Sequence, residues 1–536
     1  MSHSPAPDNT GPDNTGPDNT APNNTAPDNT GPVTSTASRM GAGLAAAAVS
    51  LGVTELVAAF FSPAADARTS VGTAVINLTP GPVKEWAIQT FGTSDKLFLA
   101  VMVIVVIVAV VSVAAIWERS RIPLGSLAII AGAVAGAAAV LDRPGAALLD
   151  VLPTAIAAVS GIAVLRFLTS TQAGDMTADP DRRRSLLTLS FAGLGALTGL
   201  GGSLLTRQRR SVAGDRDAFA LPETATPAPP IPADVQPPGS AEIGLPTFIT
   251  SNADFYRIDT ALSVPQLSRA EWKLRIHGMV DREVTYSFDD LKDFQVVDRA
   301  VTLTCVSNPV GGNLISNAMW TGYRVRDLLQ RSGVQPDADM VLSTSVDGFT
   351  VGTPVEALTD DRDSLLAVGM NGVPLPVEHG YPARLVVPGL YGFVSATKWV
   401  IDLELTRFDR AQAYWTKLGW SAKAPIKTGS RIDVPRNGQR LQPGPVTIGG
   451  VAWAQHRGIK AVEVQIDDGP WQPAVLGAAY SNDTWRLWTF EWPAPAGEHT
   501  ITARATDGTG VVQTADVAPP PPDGATGWPS ISVNVG

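Results

Sequence analysis

Cysteine is almost missing from this chain: Cys305 is the only one in 536 residues. One thiol cannot close an internal disulfide, complete a tetrahedral zinc site or hold an iron–sulfur cluster. Three roles remain for it: an inert buried thiol, a nucleophile, or one thiolate ligand to a metal whose other ligands come from a cofactor. Histidine is nearly as scarce. His3, His277, His379, His456 and His499 all fall outside the long apolar runs, which excludes a bis-histidine haem held by this chain within a bilayer. Basic residues are outnumbered, with 40 Lys and Arg against 50 Asp and Glu and a net charge of −10. No nucleic-acid partner is expected, because phosphate binding needs clustered cations. The chain also lacks a haem motif and a dinucleotide glycine pattern.

What is present divides the chain into parts. Residues 1–38 carry a pentapeptide repeat, as in Gly11-Pro12-Asp13-Asn14-Thr15, which has nothing to bury and is expected to be disordered. Residues 39–206 are rich in Ala, Gly, Val and Leu, and most of the 13 tryptophans fall after residue 271. Five membrane helices are predicted at 41–61, 97–117, 124–141, 151–168 and 185–205, each near the ~20 residues a bilayer needs. The third and fourth are also readable as a re-entrant pair. With the N-terminus inside, Arg119, Arg121, Arg166 and Arg182 to Arg184 fall on the cytoplasmic side, opposite Arg68, Lys84, Lys96 and Arg143. Arg207, Arg209 and Arg210 then sit on the wrong side. Glu55, inside the first run, reads as a helix–helix hydrogen bonder or a functional carboxylate. Residues 207–244 form a proline-dense linker, expected to hold the remainder off the membrane. From 245 to 410 short strands alternate with short helices, including a capped helix over 287–294, as in a mixed α+β domain. From 411 to 536 polar and apolar residues alternate as in an immunoglobulin-like β-sandwich.

Two separated motifs carry a resemblance. The first is Leu303-Thr304-Cys305-Val306-Ser307-Asn308 followed by Met319-Trp320-Thr321-Gly322-Tyr323-Arg324. The second is Met370-Asn371-Gly372-Val373-Pro374, then His379-Gly380-Tyr381-Pro382-Ala383-Arg384, and finally Lys398-Trp399. In this order they resemble the cofactor-binding segments of the sulfite oxidase family of molybdopterin oxidoreductases. The resemblance runs from about 245 to 536 and says nothing of the first 240 residues. It implies a sulfite-oxidase-type molybdopterin-binding domain followed by an immunoglobulin-like module similar to that family's dimerisation domain, and leaves open a homodimer. It makes Cys305 the single protein ligand to molybdenum, beside one molybdopterin. His379, Arg384 and Lys398, with Ser395 and Thr397, match positions that hold the pterin and its phosphate. Asn252, Phe255 and Tyr256 fall where the family has its first pterin-contacting segment, and Asn308 beside Cys305 is placed in the catalytic group.

The substrate side departs from sulfite oxidases. Thr250 and Pro309 stand where arginines are expected, and Phe349 stands for a catalytic tyrosine. Such a pocket is expected to bind sulfite poorly and to prefer a neutral substrate such as a sulfoxide or N-oxide. Arg183-Arg184-Ser185-Leu186-Leu187 resembles a twin-arginine export signal placed internally, or else is an ordinary basic anchor; a domain that folds around its cofactor before export favours the signal. The expectation is a membrane-anchored, multi-pass oxidoreductase with an extracytoplasmic catalytic domain, performing two-electron oxygen-atom transfer with a haem protein or quinone-linked carrier. A sulfite dehydrogenase is the alternative enzyme, and a metal-free cell-surface binding protein the alternative of another class.

Overall fold

The computed structural model describes residues 35–80, 83, 86, 90, 91, 95–118, 122–143, 145–170 and 180–536. The repeat over 1–34, and Lys84, Arg119 and Arg121 of the charge argument, lie outside the described residues.

Among the described residues the N-terminal part holds the helices α1 (Thr36–Ala58), α2 (Ala67–Leu78), α3 (Asp95–Ala114), α4 (Leu124–Leu141), α5 (Leu152–Thr169) and α6 (Pro180–Arg210). Five of the helical stretches are long and apolar enough to cross a membrane, in the five places the apolar runs predicted. α4 and α5 are two separate helices of 18 residues each. The helix α2 was not foreseen; Asp66 starts it by accepting the Thr69 N–H. Small residues let α1 and α6 approach closely. A β-carbon on Gly52 would collide with the backbone of Gly195, and one on Gly202 with Glu55 and Leu56.

The basic cluster that broke the charge rule has a local reason. α6 runs on to Arg210, whose guanidinium donates to the carbonyls of Ala58, Phe61 and Ser62 at 2.8–3.0 Å, and so caps the carbonyl end of α1. Glu55 on α1 pairs with Arg68 on α2 at 2.9 Å, an ion pair between two helices.

The proline-dense segment does not hold the rest of the chain away. A short helix, α7 (Ala213–Asp217), places Asp215 to accept from Arg269 and from the Tyr381 hydroxyl. Arg216 donates to the carbonyls of Pro374 and Leu375 at 2.8 Å. Phe219, Leu221, Val235 and Ile243 then pack on the main core. Apolar side chains spaced between the prolines gain more by burial than an extended spacer gains by staying solvated.

Beyond residue 270 the α+β part holds two sheets. The first comprises β1 (Lys273–Gly278), β2 (Val284–Ser287), β5 (Met340–Ser345), β6 (Thr350–Pro354) and β10 (Val400–Thr406), in the order β2-β1-β10-β5-β6. The second comprises β3 (Val296–Thr304), β4 (Ile315–Arg324), β7 (Leu365–Met370) and β8 (Val373–Pro374), with β9 (Arg384–Val386) also paired to β7. The capped helix expected over 287–294 is a 3-10 turn, Asp289–Asp293, with Asp290 accepting from Ser287. Trp272, Trp320 and Trp399 are buried.

The C-terminal sandwich faces a four-stranded sheet against a five-stranded one, around Ile448, Val464, Trp488 and Ile501. It also buttresses β3. Gln455 donates to the Thr302 carbonyl and the Thr304 hydroxyl, and the Trp485 backbone N–H donates to the Thr302 hydroxyl. The strand that delivers Cys305 is thus held from both sides.

Candidate active site

Cys305 follows β3 directly. Its N–H donates to the Leu314 carbonyl at 2.9 Å and its carbonyl accepts from Asn308 at 3.1 Å, so the β3–β4 ladder tightens into a turn that presents the thiol. The thiol opens on a cavity of about 360 Å³ shared by Phe255, Tyr256, Phe349, His379, Arg384 and Lys398. Protein interiors are close-packed, and a space of this size lined by a thiol and buried cations is a ligand site.

Three segments bring the polar groups together. Gly380, with φ of 113°, lies where a β-carbon would press on Arg384 and Lys398 at 3.0–3.3 Å, and only glycine takes this turn without strain. Arg384 on β9 donates to the carbonyls of His379 at 3.1 Å and Ala396 at 3.4 Å and lies 5.1 Å from the centre of the Trp320 ring. Phe255 stacks on Tyr256 and meets Trp320 and His379 edge-on at 5.4–5.6 Å.

The electrostatics point to an anion. Burial lowers Arg384 to about 10, and burial followed by Arg384 among its like-charged neighbours lowers Lys398 to about 8. Lys398, Lys96 and Arg257 all converge on Asp259, at 3.0, 2.6 and 2.9 Å. Burial pushes the Asp259 carboxyl upward, yet Lys398, Lys96 and Arg257 outweigh it and hold the group well below the usual carboxylate range. Three cations on one carboxylate leave net positive charge at this end of the cavity, which suits a phosphate. At the other end, burial pushes the Cys305 thiol up, against hydrogen bonds from Ser307. Ionisation of such a thiol is expected only with a metal bound. No cluster of three or more His, Cys, Asp or Glu that could hold a metal occurs among the described residues. The donor set, one thiol plus buried cations, therefore fits a metal carried by an organic cofactor with a phosphate.

His379 is 3% exposed, and its Nε2 lies 3.2 Å from the Asn252 carbonyl. Burial, then Arg384 and Lys398, lowers its imidazole to about 4. The neutral ring donates from Nε2 and keeps Nδ1 as an acceptor. Its folded pKa lies below the unfolded value of about 6.5, so the unfolded chain takes up the proton first as pH falls. Stability is therefore full above about 6.5 and declines down to about 4, by about 3 kcal/mol. His379→Gln is expected to flatten this acid limb, read as the thermal midpoint of the solubilised protein at pH 7 and pH 4.5.

Several expected residues stand elsewhere. The Asn308 side chain accepts from the Leu314 N–H and, with Pro309, lines a separate small cavity. The Thr250 hydroxyl accepts from the Asn317 N–H, so neither Thr250 nor Pro309 borders the cavity. Ser395 and Thr397 are fully buried, bonded to Leu390, Tyr391 and Ser343. Asn252 contributes its carbonyl to His379 while its side chain bonds Asn371 and Met370. Asn308 and Ser395 bond within their own loops, whereas Thr250, Asn252 and Thr397 bond residues distant in the chain, contacts that a motif does not encode. Asp259, Arg257, Phe393, Trp415, Trp420 and Lys96 were not anticipated; the run Arg257-Ile258-Asp259 beside the Phe255-Tyr256 motif was the available signal.

Residues 261–415 match the family described as oxidoreductase molybdopterin binding domain, and residues 430–503 match the bacterial Ig domain. Human mitochondrial sulfite oxidase is 30% identical over 337 residues, which cover 54% of this chain and 61% of that protein. The chain thus spans about three fifths of the length of the sulfite oxidases it matches. The uncharacterized oxidoreductase YuiH of Bacillus subtilis is 33% identical over 150 residues, 28% of this chain and 72% of that one. Among solved structures, the sulfane dehydrogenase SoxCD from Paracoccus pantotrophus aligns with a TM-score of 0.46 and 24% identity, over 56% of this chain and 86% of that one. With the matched domain enclosing Cys305, Arg384 and Lys398, and a relative one-third identical over most of its own length, the chain belongs to the sulfite oxidase family of molybdopterin oxidoreductases.

Proposed function

We propose that this protein is a membrane-anchored oxidoreductase that transfers oxygen atoms with Cys305 as the only protein ligand to molybdenum. The observation that carries the reading is the shared cavity of Cys305, Arg384 and Lys398. When bound, the cofactor supplies a metal that cycles by two electrons as one oxygen atom moves. Lys398, helped by Arg257 and Lys96 through Asp259, would hold its phosphate. Arg384 fixes the loops that carry His379 and Ala396, and the neutral His379 ring keeps Nδ1 as an acceptor. Electrons come from a separate carrier.

The substrate is a neutral oxo compound of the sulfoxide or N-oxide class. Support comes from Phe349, which borders the cavity together with Phe393, Tyr414, Trp415 and Trp420, whereas the cations Arg384 and Lys398 are engaged by carbonyls and by Asp259. Turnover of a sulfoxide or N-oxide with reduced viologen is expected to exceed sulfite oxidation with ferricyanide by at least ~10-fold in kcat/KM, about 1.4 kcal/mol in barrier. Efficient, saturable sulfite oxidation would instead favour the second reading, a sulfite dehydrogenase, to which the names of the sulfite oxidase relatives point.

The five apolar helices span the cell membrane, and the catalytic domain lies outside the cytoplasm. Arg183 and Arg184, near the start of α6, act as a twin-arginine export signal for a domain that folds around its cofactor first.

A further inference from the structure

The wall of the catalytic cavity does not end at the catalytic domain. From Cys305 and Phe349 it passes Phe393, Tyr414, Trp415 and Trp420, then continues onto Ile76 and Thr79 at the end of α2, Trp86, and Phe98 and Leu99 in the first turn of α3. α3 begins the most apolar stretch of the chain, without a charge from Leu97 to Ile116, so its first turn marks a membrane–water boundary. Aromatic residues gather there as they do at bilayer interfaces: Phe91 stacks on Phe98 at 4.2 Å and Trp86 meets Phe91 edge-on at 5.7 Å. Trp86, Phe98 and Ile258 are 56%, 41% and 48% exposed, an apolar rim that water would disfavour and lipid would cover. Lys96 fixes the opening in place, since its ammonium bonds both the carboxylate and the carbonyl of Asp259 at 2.6 and 2.7 Å, the same carboxylate that Lys398 reaches from the cofactor side.

We infer that the catalytic cavity has a mouth on the bilayer, bordered by Ile76 and Thr79 of α2 and by Phe98 and Leu99 of α3, and that it admits the electron carrier as a neutral, ring-bearing, lipid-soluble molecule of the hydroquinone class. The path favours such a carrier over a water-soluble ion. Its outer walls are indole, phenyl and aliphatic groups, and the cations Lys96 and Lys398 on its polar side are paired with Asp259. A ring can stack along this wall, while an anion would be desolvated there without a new partner. The inference rests on the oxidoreductase and membrane readings proposed above. The net reaction balances: the sulfoxide S–O bond breaks, the hydroquinone loses two electrons and two protons to become a quinone, and the oxygen leaves with those protons as water.

The test uses the full chain in lipid nanodiscs with decyl-benzoquinone as probe, following quenching of tryptophan fluorescence. Saturable binding is expected, with Kd raised at least ~10-fold by Leu99→Asp, which puts a charge in the mouth. Trp86→Ala, at a side chain 56% exposed, is expected to weaken binding in the same direction. Unchanged affinity in both variants, or equal competition by a sulfonated, membrane-impermeant benzoquinone, overturns the bilayer mouth. Two measurements on the same material separate this failure from failure of the readings beneath it. Molybdenum content tests the oxidoreductase. Protease accessibility of the domain on intact spheroplasts, compared between wild type and a protein with Arg183 and Arg184 both changed to lysine, tests the topology and the export signal.

Discussion

A Cys305→Ser protein is expected to fold as the wild type does and to turn over substrate at least ~100-fold more slowly, about 2.7 kcal/mol in barrier. The fold should survive because the turn around residue 305 is held by backbone groups, the N–H to Leu314 and the carbonyl from Asn308, which serine keeps. Sandwich contacts to Thr302 and Thr304 are equally untouched. Turnover should fall because serine offers a harder oxygen donor than the soft thiolate suited to this metal. The measurement is sulfoxide reduction by reduced viologen, with the thermal midpoint taken in parallel. Activity equal to wild type would remove Cys305 as the metal ligand.

The second large effect is expected at Arg384. Its guanidinium is buried and bonds the carbonyls of His379 and Ala396, residues on two loops that border the cofactor end of the cavity. Arg384→Met keeps most of the apolar stem but leaves both carbonyls unpaired, at about 1–3 kcal/mol each. It also removes a cation from the end of the cavity proposed to hold the phosphate. Bound molybdenum is expected to drop below about a tenth of the wild-type content, a change of about 1.4 kcal/mol or more in binding, and stability by about 3 kcal/mol. Arg384→Lys should recover part of the cofactor content through its charge, without the planar fork that spans two carbonyls. Full metal content and an unchanged midpoint in Arg384→Met would show that this residue neither fixes the loops nor serves the cofactor.

The parts of the site that were legible in the sequence are those whose role follows from residue type alone. A single cysteine in a recognisable run, a buried arginine and lysine in a second run, and a phenylalanine in place of a tyrosine all stand on the cavity wall. Asn308, Thr250 and Pro309 show where that logic ends. They are neighbours of the right segments in sequence, but Asn308 accepts from the Leu314 N–H, Thr250 from the distant Asn317 N–H, and Pro309 lines a different cavity. A motif names positions; the direction of a side chain in a turn is set by which backbone groups need a partner.

The amino-acid sequence by itself determined the apolar stretches that become α1 and α3 to α6, because length and hydropathy are local properties of the chain. It likewise determined the strand alternation of the C-terminal sandwich and the scarcity of metal-binding side chains that leaves Cys305 with few roles. Tertiary structure alone decided that the proline-dense segment lies against the core through Phe219, Leu221 and Val235. It also decided that Lys96, 163 residues away in the chain, bonds Asp259 beside the cofactor end of the cavity, and that α2 and α3 complete the cavity wall. The physical reason is the range of the forces involved. Periodicity and propensity act over one or two turns of chain, whereas burial of apolar surface and neutralisation of buried charge are satisfied only by groups that folding brings together.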